Sequence, residues 1–219
     1  MSALTRFEAD QCTVVFLDHT PSLFPVHSIE PLKLENNVLG LAKVARALGM
    51  PVVISTIQPR EAGLADPLFE NLTRFIYADV VLDEDDVIER TTFDAFGSER
   101  FRRAVEETGE RTGIKKLIMC GLWTETSLLH SVTTARSRRR NVAFVEDCSG
   151  GVSERSHQAA IHRMVQSGAI PVSWWSLIAE LCPDTASEQY RKIYSIVREH
   201  AGVDLPPQVR TEPTPAPSR

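Results

Sequence analysis

Residues 115–127 read Lys-Lys-Leu-Ile-Met-Cys-Gly-Leu-Trp-Thr-Glu-Thr-Ser. The first seven, Lys115–Gly121, form a short, continuous apolar run of the kind found in strands buried on both faces. Glu125–Arg139 then follows a helical pattern. Gly121–Ser127 is therefore a strand-to-helix turn. It presents backbone N–H groups at a helix N-terminus, a ready site for a developing oxyanion. Ser127 falls in the first helical turn.

Similar runs flank this one. Thr13–Asp18 (TVVFLD), Pro51–Ile57 (PVVISTI) and Asn141–Asp147 (NVAFVED) read as strands, Asp86–Thr91 as a weaker one and Ile170–Ser173 as a short last one. Helical spacing fills the intervals. Glu30–Gly49 carries Leu34, Val38, Leu41, Val44, Ala45 and Leu48 on one face and stops at Gly49-Met50-Pro51. Leu68–Phe75, Ser98–Thr108, Ser153 to about Ser167, Trp174–Leu181 and Ser187–His200 are further helices, with Ser153 placed to cap its own. Apolar strands alternating with helices predict the α/β class: three layers, α/β/α, with a central, mainly parallel, Rossmann-like sheet. We expect one domain over 1–184, a C-terminal helix over 185–204 as a candidate contact between subunits, and a disordered or extended tail over 205–219, where Pro206, Pro207, Pro213, Pro215 and Pro217 accumulate.

Composition narrows the function. A chain of 219 residues that is 42% hydrophobic can bury a core, and a net charge of −5 argues against binding nucleic acid through its phosphates. The run Arg136, Arg138, Arg139 and Arg140 reads as a solvated helix end. No stretch of 18 apolar residues predicts a membrane span, and Met1–Gln11 lacks the basic start and apolar run of a secretory signal. Cys12, Cys120, Cys148 and Cys182 form no CxxC pair and read as buried free thiols of a cytoplasmic protein.

Ligands of a parallel sheet bind beyond the carboxyl ends of its strands. Three features converge there: Asp18 at the end of the first strand, Arg90 at the end of the weak strand before Thr91-Thr92-Phe93, and the Gly121–Ser127 turn. Each has a bland reading. Asp18 could be a turn former, Arg90 a surface ion pair, and Thr124, Glu125 and Ser127 simple capping residues.

The chain resembles the isochorismatase-like cysteine hydrolases, and within them the YcaC-type members. The matching stretches run from about Thr13 to Asp184. They are Phe16-Leu17-Asp18-His19, Ile29-Glu30-Pro31 with Asn36-Asn37-Val38-Leu39, Phe93-Asp94-Ala95-Phe96, Gly121–Ser127, Glu146-Asp147-Cys148-Ser149-Gly150, and His162-Arg163-Met164 leading to Trp174. The resemblance implies a hydrolase acting on an amide-like C–N bond of a small molecule. Its catalytic set is an aspartate, a basic residue that is usually lysine, and a cysteine nucleophile. By position these fall on Asp18, Arg90 and Ser127, so two of the three depart in type. It also implies a non-proline cis peptide before the turn's threonine, between Trp123 and Thr124, an oxyanion hole in the Trp123–Ser127 backbone, and a homo-oligomer.

Serine changes the chemistry. A cysteine beside a cation ionises, whereas a hydroxyl needs a base to remove its proton during attack. Asp18 beside Arg90 is expected to have a low pKa and to be a weak base. Arg90 is permanently charged and can only orient Asp18 or bind an anionic group. Three readings stay open: Ser127 replaces a cysteine by engineering; it is natural and the site hydrolyses through serine or directly through water, driven by the aspartate; or the site binds a small ligand or serves assembly without turnover. His130, three residues on, is a speculative base for Ser127.

Trp123 and Thr124, with Phe24 and Phe96 as aromatic walls, are the candidate substrate-binding and oxyanion-hole residues. Core packing is the alternative for Trp123, Phe24 and Phe96. His19 is expected to point away, and Glu125 to cap or pair near the turn. No metal is expected: the zinc-type site of the related nicotinamidase branch uses histidines after the second strand, and Gln58–Asp66 has none. No Gly-rich phosphate loop occurs, so no cofactor is expected.

Overall fold

The computed structural model describes residues 6–20, 26–57, 87–113 and 116–208. Its strands are β1 Cys12–Leu17, β2 Val52–Thr56, β3 Val87–Glu89, β4 Lys116–Gly121, β5 Asn141–Val145 and β6 Ile170–Val172. They form one sheet in the order β3-β2-β1-β4-β5-β6, with every neighbouring pair parallel. The chain grows outward from β1 to β3, then returns to lay β4 on the other side of β1. A crevice opens beyond the carboxyl ends at such a switch point. Leu17 and Gly121 are register partners there, so Asp18 and Leu122 leave the sheet side by side. A β-carbon on Gly121 would lie 2.7 Å from the Leu17 side chain and 2.9 Å from its carbonyl oxygen. Only glycine permits this approach of the two strand ends.

The helices are α1 Pro31–Ala47, α2 Glu99–Thr112, α3 Leu129–Ser137, α4 Glu154–Gln166, α5 Trp174–Leu181 and α6 Glu188–Ala201. Successive strand residues point to opposite faces, which explains the continuous apolar runs. Val14 and Phe16 join a core with Leu34, Val38 and Leu41 of α1, Trp174 and Leu177 of α5, and Ile193 and Val197 of α6. Val15 and Leu17 face the other way, toward Phe101, Val105, Val132, Ala135, Ile161 and Met164 of α2, α3 and α4. The three-layer α/β/α architecture is thus present. All four cysteines are buried and free. The predicted helix Leu68–Phe75, Phe24, the Gln58–Asp66 segment and the tail beyond 208 lie outside the described residues.

Two expectations need correction in detail. The helix predicted over Glu125–Arg139 begins as a π-helical turn, Thr124–Leu128, and becomes α-helical only from Leu129 to Ser137. Its wide ring is closed by the Leu129 N–H donating to the Thr124 carbonyl, a bonding mode that apolar periodicity does not reveal. The arginines at the end of α3 are also more than solvated charge. Arg136 donates to the carbonyls of Arg140 (2.6 Å) and Ser167 (3.3 Å), and the Arg138 guanidinium lies 5.4 Å from the centre of the Phe96 ring.

The C-terminal helix, expected as a contact between subunits, packs its apolar face on its own chain. Tyr190, Ile193 and Val197 are buried in the core shared with α1, and a β-carbon on Gly40 would sit 3.0 Å from both His200 and Trp174. The start of the tail is tied down as well: the Tyr190 hydroxyl donates to the Leu205 carbonyl (2.8 Å) and Gln208 N–H to the Thr185 carbonyl (3.1 Å).

His200 closes this helix onto α1. Its Nδ1 faces the carbonyl oxygen (3.1 Å) and side-chain oxygen (3.0 Å) of Asn36, so Nδ1 carries the proton. Its Nε2 faces the Lys43 ammonium at 2.8 Å, which only donates, so Nε2 must be unprotonated. Burial, then Lys43, lower the His200 pKa, against an opposing pull from Glu199. A depressed folded pKa gives stability that is present above the unfolded value of about 6.5 and is lost as pH falls through the folded value. The protection against hydrogen exchange in 188–201, corrected for the intrinsic pH dependence of amide exchange, is therefore expected to fall severalfold between pH 7.5 and pH 5, and to lose most of that fall in His200→Gln. An equal fall in both proteins would count against the His200 contact.

Candidate active site

Asp18 leaves β1 in the left-handed region, φ 58°, a conformation in which Asp is among the better-tolerated side chains. Its N–H bonds the Ser55 carbonyl of β2 at 2.9 Å, so the turn of the chain occurs at once. One carboxylate oxygen accepts the Ile57 N–H, and the other accepts from Arg90 Nη2. Arg90 is held in turn by its N–H on the Thr56 carbonyl (2.9 Å) and by Nη1 donating to the Thr92 carbonyl. Both side chains of the pair are fully excluded from solvent. The Ser127 hydroxyl completes the group, close enough to the same carboxylate to pull its pKa down. Three strand ends distant in sequence thus bring Asp18, Arg90 and Ser127 together.

Burial raises the Asp18 pKa above the ordinary carboxylate value, although Arg90, Ser127 and Ile57 all pull it down. This overturns the expectation of a low-pKa, weakly basic carboxylate. Complete removal from water disfavours the anion more than the guanidinium and the neighbouring donors favour it. His130, the speculative base, is exposed while Ser127 is buried, so it does not serve Ser127. His19 is fully buried, with Nε2 donating to the Cys148 carbonyl at 3.0 Å. Burial takes its pKa down to about 4, so it stays neutral.

The turn itself is anchored from outside. Leu122 continues β4, its N–H on the Leu17 carbonyl (3.0 Å), while the Thr124 N–H reaches the Gly150 carbonyl (2.9 Å). The cis peptide lies between these anchors, at Leu122–Trp123 rather than the expected Trp123–Thr124. Leu122 is still in sheet register and Thr124 is already fastened to Gly150, so the chain changes direction across Trp123. Gly150 is aligned by Ser149, whose hydroxyl accepts the Gly121 N–H (3.2 Å) and donates to the Val145 carbonyl (2.7 Å).

The remaining candidates separate. Trp123 is partly buried against the α1-side core, and its indole N–H is enclosed without an acceptor among the described residues. Phe96 belongs to the opposite core, edge-on to Phe101 with ring centres 5.1 Å apart. It packs there and under Arg138, which corrects its reading as a wall of the site. Sequence reasoning missed His157. It lies in the first turns of α4, is 8% exposed, and places Nδ1 2.9 Å from the Thr124 hydroxyl. Its position in an otherwise ordinary amphipathic helix offered no signal. Among the described residues no group of His, Cys, Asp or Glu is arranged to hold a metal ion, and no helix is long and apolar enough to cross a membrane.

Comparison with known proteins agrees with this fold. The isochorismatase domain family matches residues 12–176. The probable hydrolase YcaC of Escherichia coli is 29% identical over 180 residues, 82% of this chain and 81% of that protein. The crystal structure of Escherichia coli YcaC, described as an octameric hydrolase of unknown specificity, superposes with a TM-score of 0.81 at 28% identity, covering 92% of this chain and 94% of that one. YcaC from Pseudomonas aeruginosa, solved with hexane-2,5-diol and covalent acrylamide, gives a TM-score of 0.81 at 27% identity, with 92% and 95% covered. A match that runs from the first residue of β1 into α5, and so takes in all three strand ends of the site, makes this chain a member of the isochorismatase family.

Proposed function

We propose that this isochorismatase-family hydrolase cleaves an amide-like C–N bond of a small molecule, with Ser127 at the nucleophile position, Asp18 as the proton-transfer group and Arg90 as its electrostatic partner. The observation that carries the reading is one carboxylate, shut away from water, bonded to a guanidinium and close to a hydroxyl. Its raised pKa makes Asp18 a stronger base than a free aspartate, nearer the value an acid–base catalyst needs at neutral pH. Arg90 keeps enough of it ionised to accept a proton and holds it in place.

The steps balance without a further group. Ser127 Oγ attacks the carbonyl carbon as its proton passes to Asp18. The developing oxyanion is received at the start of the π-turn. The Thr124 and Thr126 N–H groups are engaged by the Gly150 and Trp123 carbonyls, so the amides of Glu125 and Ser127 are the donors we assign. Asp18 returns its proton to the leaving nitrogen as the C–N bond breaks. Water then attacks the ester, with Asp18 as base, releasing the carboxylic acid and restoring the Ser127 hydroxyl. Acrylamide, which the Pseudomonas aeruginosa relative holds covalently, is a small amide and supports this substrate class. The octamer described for Escherichia coli YcaC supports a homo-oligomer here as well. Light scattering is expected to give a mass severalfold above 24.4 kDa.

The test is a panel of small amides offered to the protein and to its Ser127→Ala and Ser127→Cys variants, with mass spectrometry for an acyl-enzyme. Turnover lost in Ser127→Ala, with an acyl adduct trapped on Ser127, is the expected result. Turnover that survives in Ser127→Ala points instead to direct attack by water under Asp18. Inactivity of the protein and of Ser127→Cys alike on every amide would leave a ligand-binding or assembly role and end the proposal.

A further inference from the structure

The π-turn that carries Ser127 is a wide, weakly self-supporting ring, and its outward side is fastened to a single stretch of chain. The Thr124 N–H bonds the Gly150 carbonyl (2.9 Å). One Glu125 carboxylate oxygen accepts the Val152 N–H (2.9 Å). The Thr124 hydroxyl meets His157 Nδ1 (2.9 Å), a contact buried between the turn and α4. The first two are made by backbone groups of the loop after β5, and that loop is pinned by Gly151 to Ser28 and His27 (2.9 and 3.0 Å). The third depends on one side chain. Thr124 and His157 are 1% and 8% exposed, so their contact is made inside the protein, where water does not compete for it. Burial lowers the pKa of His157 against the pull of Glu154 and Glu125, which keeps the ring neutral at physiological pH.

We propose that His157 is a positioning residue for the reaction: by holding the Thr124 hydroxyl it sets the height of the π-turn, and so the distance of residue 127 and its amide from Asp18. This rests on the assignment of Ser127 and Asp18 above. The direction of its effect follows from the geometry. Residues 124 and 127 lie in one turn of the same ring, with residue 124 bonded outward to α4 and residue 127 close to Asp18 on the inward side. Releasing the outward bond strands a buried hydroxyl, and the turn shifts to find it a partner. A displacement of about 1 Å at a reacting group costs up to about a hundredfold in rate, while a substrate held elsewhere in the crevice binds nearly as before.

The experiment uses the full chain and two independent readouts. The first is steady-state hydrolysis of whichever amide the panel identifies. The second needs no turnover: in the Ser127→Cys background, the rate of alkylation of the new thiol by acrylamide is followed by peptide mass spectrometry. The four native cysteines, all buried, serve as internal controls. His157→Ala is expected to lower kcat about tenfold to a hundredfold with KM changed less than about threefold, and to slow alkylation about tenfold. His157→Asn, whose amide group is attached to Cγ as Nδ1 is, should restore both rates. His157→Gln, which extends one bond further, should not. Thr124→Val keeps the volume and removes the hydroxyl, so it should reproduce the loss, and combining it with His157→Ala should add nothing. It also provides the test if His157→Ala does not fold. Alkylation and kcat unchanged within about twofold in Thr124→Val, or Asn and Gln restoring the rates equally, would overturn the proposal. If no amide is hydrolysed but alkylation still follows the Ala, Asn and Gln pattern, the functional assignment fails and the positioning role stands.

Discussion

Replacing Asp18 by Asn is expected to reduce amide hydrolysis by about 10²–10⁴-fold, the usual contribution of a positioned acid–base group. Asparagine is the informative substitution. It tolerates the left-handed backbone at φ 58°, as few residues do, and its amide can still meet Ser127 and Ile57. It cannot take a proton from Ser127 or give one to a leaving nitrogen, so kcat should fall. It also leaves the Arg90 guanidinium buried without its counter-ion, so some stability goes with it, and kcat is compared on protein shown to be folded. The pH profile is the companion measurement. Because burial raises the Asp18 pKa, the carboxylate is less ionised at any given acidic pH than a free aspartate. The acid limb of kcat/KM should therefore lie above the ordinary value of about 3.9. A limb at or below that value would mean that Arg90 and the neighbouring donors outweigh burial, and Asp18 would then be too weak a base for an alcohol. Circular dichroism at each pH separates loss of the anion from loss of the fold.

Arg90→Met is expected to produce the largest loss of stability, about 3–5 kcal/mol at pH 7.5, the cost of removing one partner of a buried ion pair. Neither side chain reaches solvent, so water cannot take the guanidinium's place beside Asp18. The loss should be pH-dependent, with a definite sign. Without Arg90 the folded pKa of Asp18 rises further above its unfolded value. A raised pKa gives stability that is present below the unfolded value and lost as pH rises through the folded one. Urea unfolding should therefore show the deficit shrinking as pH falls from 7.5 toward 5 and Asp18 becomes neutral. Combining Arg90→Met with Asp18→Asn should recover much of it, since no buried charge is then left alone. An equal deficit in the single and double variants at every pH would mean that Arg90 contributes by packing its stem rather than by its charge.

Much of this architecture was legible in the chain. Most strands announced themselves as apolar runs because both faces of the sheet are covered, and helical spacing of apolar residues marked the helices between them. Asp18 and the Gly121–Ser127 turn could be placed at the carboxyl edge for the same reason: they follow directly on such runs. Arg90 was harder, since β3 has only three residues, Val87–Glu89, and its short pattern is close to noise. The π-turn was read as α-helix because the two bonding modes bury nearly the same residues. Phe96 stood as readily for a wall as for a core residue, because an aromatic side chain is equally apolar in either place. His157 gave no signal at all.

What the amino-acid sequence by itself determined is the part governed by neighbours in the chain: the alternation of strand and helix, the ends of most elements, and the residues delivered to the edge of the sheet. Only the tertiary structure decided how those residues behave there. Whether Asp18 is a weak or a serviceable base depends on how completely β2, β3 and the π-turn exclude water from it, and on whether that exclusion outweighs Arg90. Whether Thr124 is a donor or an anchor depends on Gly150 and His157, which are 26 and 33 residues further along. Periodicity and propensity act over one or two turns of chain, whereas desolvation and hydrogen bonding are summed over whatever the fold brings within a few ångströms.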